Sequence, residues 1–196
     1  MLEKLRIVGA LVECGTWKGG SAFAMLLAQK WAYGEIRRPV YLFDSFAGLP
    51  PPTTKDGPEA RYWTEFTKAN PGAASHYNNC TASLDEALMA AIELKLLPHC
   101  NFQPGWFQFT VPPAATTIGP IAMLRLDADW YDSCKIVYDN FAPLLSNHAR
   151  VIVDDYIVWP GAARATHEWL VQNDKCWRIR SSPTHYCAWM IKDDRE

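Results

Sequence analysis

Two apolar runs that each end in acidic residues constrain this chain more than any other feature. Met123-Leu124-Arg125-Leu126 leads into Asp127-Ala128-Asp129-Trp130-Tyr131-Asp132, and Val151-Ile152-Val153 leads into Asp154-Asp155-Tyr156. Short apolar runs separated by a helix-like segment, here predicted over residues 133–145, read as neighbouring parallel strands joined by a crossover. Open α/β sheets bind ligands beyond the carboxyl ends of their strands, which gathers these carboxylates over one crevice. Acids so gathered repel one another unless a positive charge sits among them. A hard divalent cation, Mg²⁺ before Ca²⁺ or Mn²⁺, meets that need. Each aspartate taken singly has another reading, as a helix N-cap or a turn former.

The start of the chain points the same way. Residues 7–14 are apolar and end in Glu13-Cys14-Gly15-Thr16-Trp17-Lys18-Gly19-Gly20-Ser21, with a helical stretch predicted over 22–31. Strand, glycine-bearing turn and helix in that order open a doubly wound nucleotide-binding fold, because glycine lets the backbone approach a ligand and the helix start offers free N–H groups. The Gly-x-Gly-x-x-Gly dinucleotide spacing is missing, since Trp17 stands where the second glycine belongs. Val40-Tyr41-Leu42-Phe43 is the second strand and closes on Asp44, an acid placed either to accept from both hydroxyls of a ribose or to cap its own loop.

A Pro- and Gly-rich loop over 45–57 is longer than a minimal connection, which suits a cover over a site. Tyr62, Trp63 and Phe66 follow at helical spacing. Residues 83–97 form an amphipathic scaffold helix with Leu84, Ala87, Leu88, Ala91, Ile92 and Lys95 on one face, capped by Ser83 with Glu86 three later. Asn101-Phe102-Gln103 is a third strand leading into Pro104-Gly105-Trp106-Phe107, and a helix is predicted over 161–173. Residues 177–181 and 185–192 alternate like two antiparallel strands around Ser182-Pro183-Thr184. The expected fold is α/β, Rossmann-like and doubly wound: a mostly parallel seven-stranded sheet with a C-terminal antiparallel hairpin, as a single domain over residues 1–196.

With 49% hydrophobic and 20% charged residues, the chain has the material for one sizeable core. A net charge of -2 gives no electrostatic reason to expect nucleic acid or an anionic membrane as partner. No apolar run approaches the ~20 residues of a membrane span and no signal-peptide core is present, so the default compartment is the cytoplasm. Cys14, Cys80, Cys100, Cys134, Cys176 and Cys187 lie far apart without zinc spacing and read as small buried residues of a reduced protein. Several tryptophans fall in predicted loops, where planar ligands and sugars are held; Trp130 and Trp159 flank the acids and either wall a pocket or pack in the core. His167 and His185 read as structural or surface residues, and His76 and His99 lie in loops without a partner acid.

On these residues the chain resembles the class I S-adenosylmethionine-dependent methyltransferases, and among them the macrocin O-methyltransferase family of macrolide and aminocoumarin tailoring enzymes. The resemblance runs from about residue 11 to the end. It is carried by Val12-Glu13-Cys14-Gly15-Thr16-Trp17-Lys18-Gly19-Gly20-Ser21, Phe43-Asp44-Ser45-Phe46-Ala47-Gly48-Leu49-Pro50, Leu126-Asp127-Ala128-Asp129-Trp130-Tyr131-Asp132-Ser133 and Val153-Asp154-Asp155-Tyr156. The spacing of Glu13, Gly15, Gly19 and Ser21 and the Asp127-Ala128-Asp129 tip are also similar to caffeoyl-CoA and catechol O-methyltransferases.

The resemblance implies S-adenosyl-L-methionine and Mg²⁺ as cofactors. Gly15 and Gly19 would pass close to the methionine moiety, with Glu13, Thr16 and Ser21 in the same turn. Asp44, with Ser45 beside it, would hold the ribose, and Gly105 and Trp106 would lie near the adenine. Asp127, Asp154 and Asp155 would bind the metal, with Asp127 as general base, while Asp129 either faces the cofactor's ammonium group or caps the following helix. The family's helical segment before strand one has no counterpart in the few residues preceding Ile7. The acceptor pocket is therefore expected to be more open, or closed by the 45–70 stretch or by a second subunit of a homo-oligomer.

The expected activity is metal-dependent methyl transfer to a hydroxyl of a small molecule, a vicinal diol on a glycosylated natural product. A catecholic acceptor, an NAD(P)-dependent oxidoreductase and a non-catalytic cofactor-binding module are the rival readings. The missing glycine pattern and the terminal hairpin count against the oxidoreductase.

Overall fold

The computed structural model describes residues 6–69, 78–175, 177–182 and 185–192. Cys176, His76, the Pro183-Thr184 turn and the last residue of the 45–70 stretch lie outside the described residues. The strands are β1 (Ala10–Cys14), β2 (Val40–Asp44), β3 (Cys100–Pro104), β4 (Ile121–Leu126), β5 (Leu145–Val153), β6 (Arg180–Ser182) and β7 (His185–Ile191). They form one sheet in the order β3-β2-β1-β4-β5-β7-β6. The first five are parallel; β7 runs antiparallel to both β5 and β6. The chain thus winds outward from β1 in both directions, and the reversal between β1 and β4 opens a crevice at their carboxyl ends.

Alternation along the strands builds a core on each face. Leu11 of β1 and Val40 and Leu42 of β2 face one side, packed on Ala22, Phe23 and Leu26 of α1 (Gly20–Tyr33) and Ala91 of α3 (Leu84–Glu93). Val12 and Cys14 of β1 and Phe43 of β2 face the other. There they meet Val111 of α4 (Phe107–Ala115), Val137, Tyr138 and Phe141 of α5 (Tyr131–Phe141), and Ala165 and Trp169 of α6 (Pro160–Gln172). Tyr138 stacks on Trp169 at 5.2 Å between centroids, and Phe43 meets Phe141 edge-on at the same distance. The remaining helix, α2 (Gly57–Ala69), follows the Pro-rich loop.

Several boundaries differ from those expected. The helix expected over 133–145 starts earlier and stops at Phe141, and β5 begins at Leu145, because Pro143 breaks the helical ladder within a short 3-10 turn. The helix expected over 83–97 ends at Glu93; its Ser83 and Glu86 form the reciprocal capping box, but Ile92 is half-exposed and only Ala87 and Ala91 are buried. Sequence reasoning places no element between residues 107 and 120, where the structure has α4 with Pro112 and Pro113 inside it. The strand expected over 177–181 is Arg180–Ser182, while Trp177 packs on Trp169 instead. Among the described residues no helix is long and apolar enough to cross a membrane.

Candidate active site

The carboxyl ends of β1, β2, β4 and β5 open into a cavity of about 530 Å³ lined by Gly15, Trp17, Asp44, Ser45, Trp106, Asp127, Asp129, Asp154, Asp155 and Trp159, among others. Strand register brings these residues together. Cys14 of β1 pairs with Phe43 and Leu126, and Leu126 with Val153, so Gly15, Asp44, Asp127 and Asp154 leave the sheet side by side.

Gly15 adopts φ +92, and a Cβ there would lie 1.6 Å from the Asp127 carbonyl oxygen. Only glycine allows β1 to turn this tightly against β4. Asp44 fixes the turn from below: its Oδ2 accepts from the Thr16 and Trp17 N–H groups at 2.8 and 2.7 Å, and its Oδ1 from Phe46 N–H at 2.7 Å. The loop-capping role is therefore present: Oδ2 is taken up by two N–H groups, and Oδ1, with one donor, keeps a lone pair for a ligand hydroxyl. Thr16 is buried with its hydroxyl on the Phe43 carbonyl, and Gly19 lies against the Phe23 ring; neither lines the cavity. Gly105 donates its N–H to the Asp44 carbonyl at 2.8 Å and so sets Trp106 at the cavity wall.

Beneath the turn, Glu13 is fully buried. Its Oε1 accepts from the Ser21 hydroxyl and, at 3.1 Å, from Arg125, while its Oε2 has no hydrogen-bond partner. Burial pushes its pKa from 4.5 to about 7, against the pull of Arg125.

Asp127, Asp154 and Asp155 each offer an oxygen within 4.8 Å of the others. Arg125 lies among them: Nη1 contacts Asp127 Oδ2 at 2.7 Å and Nη2 contacts Asp154 Oδ1 at 3.0 Å. Burial works against the guanidinium charge, but Asp127, Glu13 and Asp154 outweigh it and hold Arg125 protonated more firmly. Asp155 Oδ2 accepts from the Asp129 N–H at 2.9 Å. Asp129 itself is in the left-handed region at φ +54. Burial, then neighbouring acids, raises the carboxyls of Asp129 (to about 7) and Asp155; burial raises Asp127 against Arg125. One guanidinium is thus too little positive charge for this cluster. The donor set is all carboxylate oxygen, and the oxygens of Asp127 and Asp154 not held by Arg125 remain to complete a site. The residues fit a hard divalent cation.

Sequence reasoning missed Arg125, whose signal is an arginine inside an apolar strand two residues before an acid. It also missed Asp56, which is fully buried; its Oδ1 accepts from Tyr131 N–H at 2.6 Å and its Oδ2 from Thr53 N–H at 2.7 Å, pinning the Pro-rich loop to α5. Leu49 and Pro50 of that loop line the cavity, as do Trp63 of α2 and Phe107 of α4. Of the two tryptophans flanking the acids, Trp159 lines the cavity, whereas Trp130 is core and donates its indole N–H to the Pro50 carbonyl at 2.8 Å. His167 lies on α6, hydrogen-bonded to the Tyr156 hydroxyl at 2.7 Å.

The sheet order, the glycine turn after β1 and the acid ending β2 define the S-adenosylmethionine-dependent methyltransferase class of α/β fold. Within it the chain belongs to the macrocin O-methyltransferase (TylF) family, whose model matches residues 2–176. It is 34% identical over 154 residues to the 8-demethyl-8-(2,3-dimethoxy-alpha-L-rhamnosyl)-tetracenomycin-C 4'-O-methyltransferase of Streptomyces olivaceus, covering 78% of this chain and 54% of that protein. It is 32% identical over 170 residues to the demethyldecarbamoylnovobiocin O-methyltransferase of Streptomyces niveus, covering 86% of this chain and 60% of that one. The chain thus spans less than two thirds of these relatives. Among solved structures it superposes on the O-methyltransferase NovP with a TM-score of 0.82 and 26% identity, over 98% of this chain and 75% of NovP. The calicheamicin methyltransferase CalS11 shares the fold, with a TM-score of 0.68 at 23% identity over 97% of this chain and 74% of CalS11.

Proposed function

We propose that this protein transfers a methyl group from S-adenosylmethionine to a sugar hydroxyl of a natural-product glycoside, with a divalent cation at Asp127, Asp154 and Asp155. The observation that carries the reading is the meeting of the Gly15 turn, Asp44 and these three aspartates around one cavity. Family membership supports it, as do the relatives named for a rhamnosyl-tetracenomycin and for a novobiocin precursor.

Each residue then has a physical task. The bare backbone of Gly15, with Gly19, Thr16, Ser21 and the buried Glu13 supporting the turn, lets the methionine end of the donor lie close to the sheet. Asp44 accepts from a ribose hydroxyl through Oδ1 while Ser45, Gly105 and Trp106 border the adenosine. Asp129 faces the donor's ammonium group. Holding donor and acceptor in line can contribute roughly 7–11 kcal/mol to the rate. A divalent cation bound there would act as a Lewis acid, making an acceptor hydroxyl easier to deprotonate. Asp127 takes the acceptor's proton; Arg125 fixes its orientation, and burial raises its basicity.

Transfer of labelled methyl from S-adenosylmethionine to a panel of rhamnosides, with Mg²⁺ or with EDTA, tests this. Label should enter the glycoside with Mg²⁺, and Asp127→Ala should lower the rate by about 100-fold or more. Turnover indifferent to EDTA would remove the cation from the proposal. A calorimetric titration showing no binding of S-adenosylhomocysteine, or oxidation of NADPH in the presence of the protein, would overturn it altogether.

A further inference from the structure

A second groove opens beside the acids, lined by Pro58, Glu59, Tyr62 and Trp63 of α2 and by Trp159 at the start of α6. Trp63 and Trp159 border both this groove and the main cavity. A group carried past their rings therefore passes from one space into the other. We infer that this groove is the subsite for a flat, uncharged aromatic aglycone of the acceptor glycoside, an inference that rests on the transferase reading above.

The chemistry of the walls selects that occupant. A sugar reaching Asp127 meets hydrogen-bonding acids, but the groove is lined by proline and three aromatic rings with the Glu59 carboxylate and the Tyr62 hydroxyl, so most hydroxyls of a second saccharide would lie against apolar ring and proline carbon. Planar rings lose nothing there and gain offset or edge contacts. The walls are also held in place: Trp159 meets Trp63 edge-on at 6.1 Å and Trp130 at 5.1 Å, and Trp130 is fixed by its hydrogen bond to Pro50. Tyr62 stacks on Phe66 at 6.1 Å with the planes tilted by 24°, and its 70% exposure leaves ring surface available to a ligand. Glu59 on the groove disfavours an anionic aglycone.

The test is calorimetry on the whole protein saturated with S-adenosylhomocysteine, so that the donor space is filled, titrated with 2-(hydroxymethyl)anthraquinone. Saturable binding is expected, weakened about ten-fold in Tyr62→Ala and retained in Tyr62→Phe, which keeps the ring. An unglycosylated aliphatic macrolactone should bind about ten-fold more weakly than the anthraquinone. Equal affinity of wild type and Tyr62→Ala, or a macrolactone that binds as tightly as the planar probe, would overturn the inference. The readout needs no methyl transfer. A protein that binds the probe yet methylates no hydroxyl marks failure of the transferase reading; one that methylates methyl rhamnoside and binds no probe marks failure of this one.

Discussion

Nη1 of Arg125 donates to Oδ2 of Asp127 across 2.7 Å, so an acid of the cavity wall is tied to a cation two residues earlier, within β4. Period-two alternation puts both on one face of the sheet, and β1 sets Glu13 directly opposite Arg125 in register. The guanidinium joins the floor of the glycine turn, through Glu13, to the acids at the tips of β4 and β5, through Asp127 and Asp154.

Removing that cation should be costly. Arg125→Met leaves Glu13, Asp127 and Asp154 facing one another with their shared partner gone, an effect worth about 3–5 kcal/mol for a largely buried pair. Thermal denaturation in EDTA should show the loss, and Mg²⁺ should restore more stability to the variant than it adds to the wild type. A variant within about 1 kcal/mol of the wild type would show that the guanidinium is not the charge that holds the cluster.

Stability without a divalent cation should fall as pH rises. Glu13 titrates near 4.5 when unfolded and near 7 when folded, and Asp129 moves from 3.8 to about 7. Between those values the folded chain binds more protons than the unfolded one, so stability is lost through the window and levels off above about pH 7. Urea midpoints in EDTA at about pH 5 and about pH 8 check the sign, and Glu13→Gln should flatten the slope. A midpoint that climbs across this range would contradict the burial of these acids.

Two glycines of one turn should respond in opposite ways. Gly15→Ala forces a side chain into the left-handed region and against the Asp127 carbonyl, and a loss of ~3 kcal/mol or more is expected. Gly20, the first residue of α1, has nothing within 4 Å of an added Cβ, so Gly20→Ala should be neutral or stabilising by up to about 1 kcal/mol. Denaturant midpoints of the two variants, measured together, separate steric conflict from a general intolerance of the turn.

Much of the site was legible because parallel strands end in register. Once Met123-Leu124-Arg125-Leu126 and Val151-Ile152-Val153 are read as neighbours, Asp127, Asp154 and Asp155 must emerge at one edge, and the structure places their oxygens within 4.8 Å. The capping box at Ser83 was legible for a similar reason, since both partners lie within one helical turn. Helix α4 was not, because Pro112 and Pro113 argue locally against a helix that packing of Val111 nevertheless supports.

Local spacing alone located the parallel strands, the glycine turn and the acids at the strand tips, because those depend on side-chain period and backbone sterics within a few residues. Only the tertiary structure decided which charges meet. Arg125 and Glu13 are 112 positions apart, and Asp56 reaches the Tyr131 N–H across 75. Such pairings follow from strand register and loop path, and the drive to satisfy a buried charge selects a partner in space that no short stretch of chain specifies.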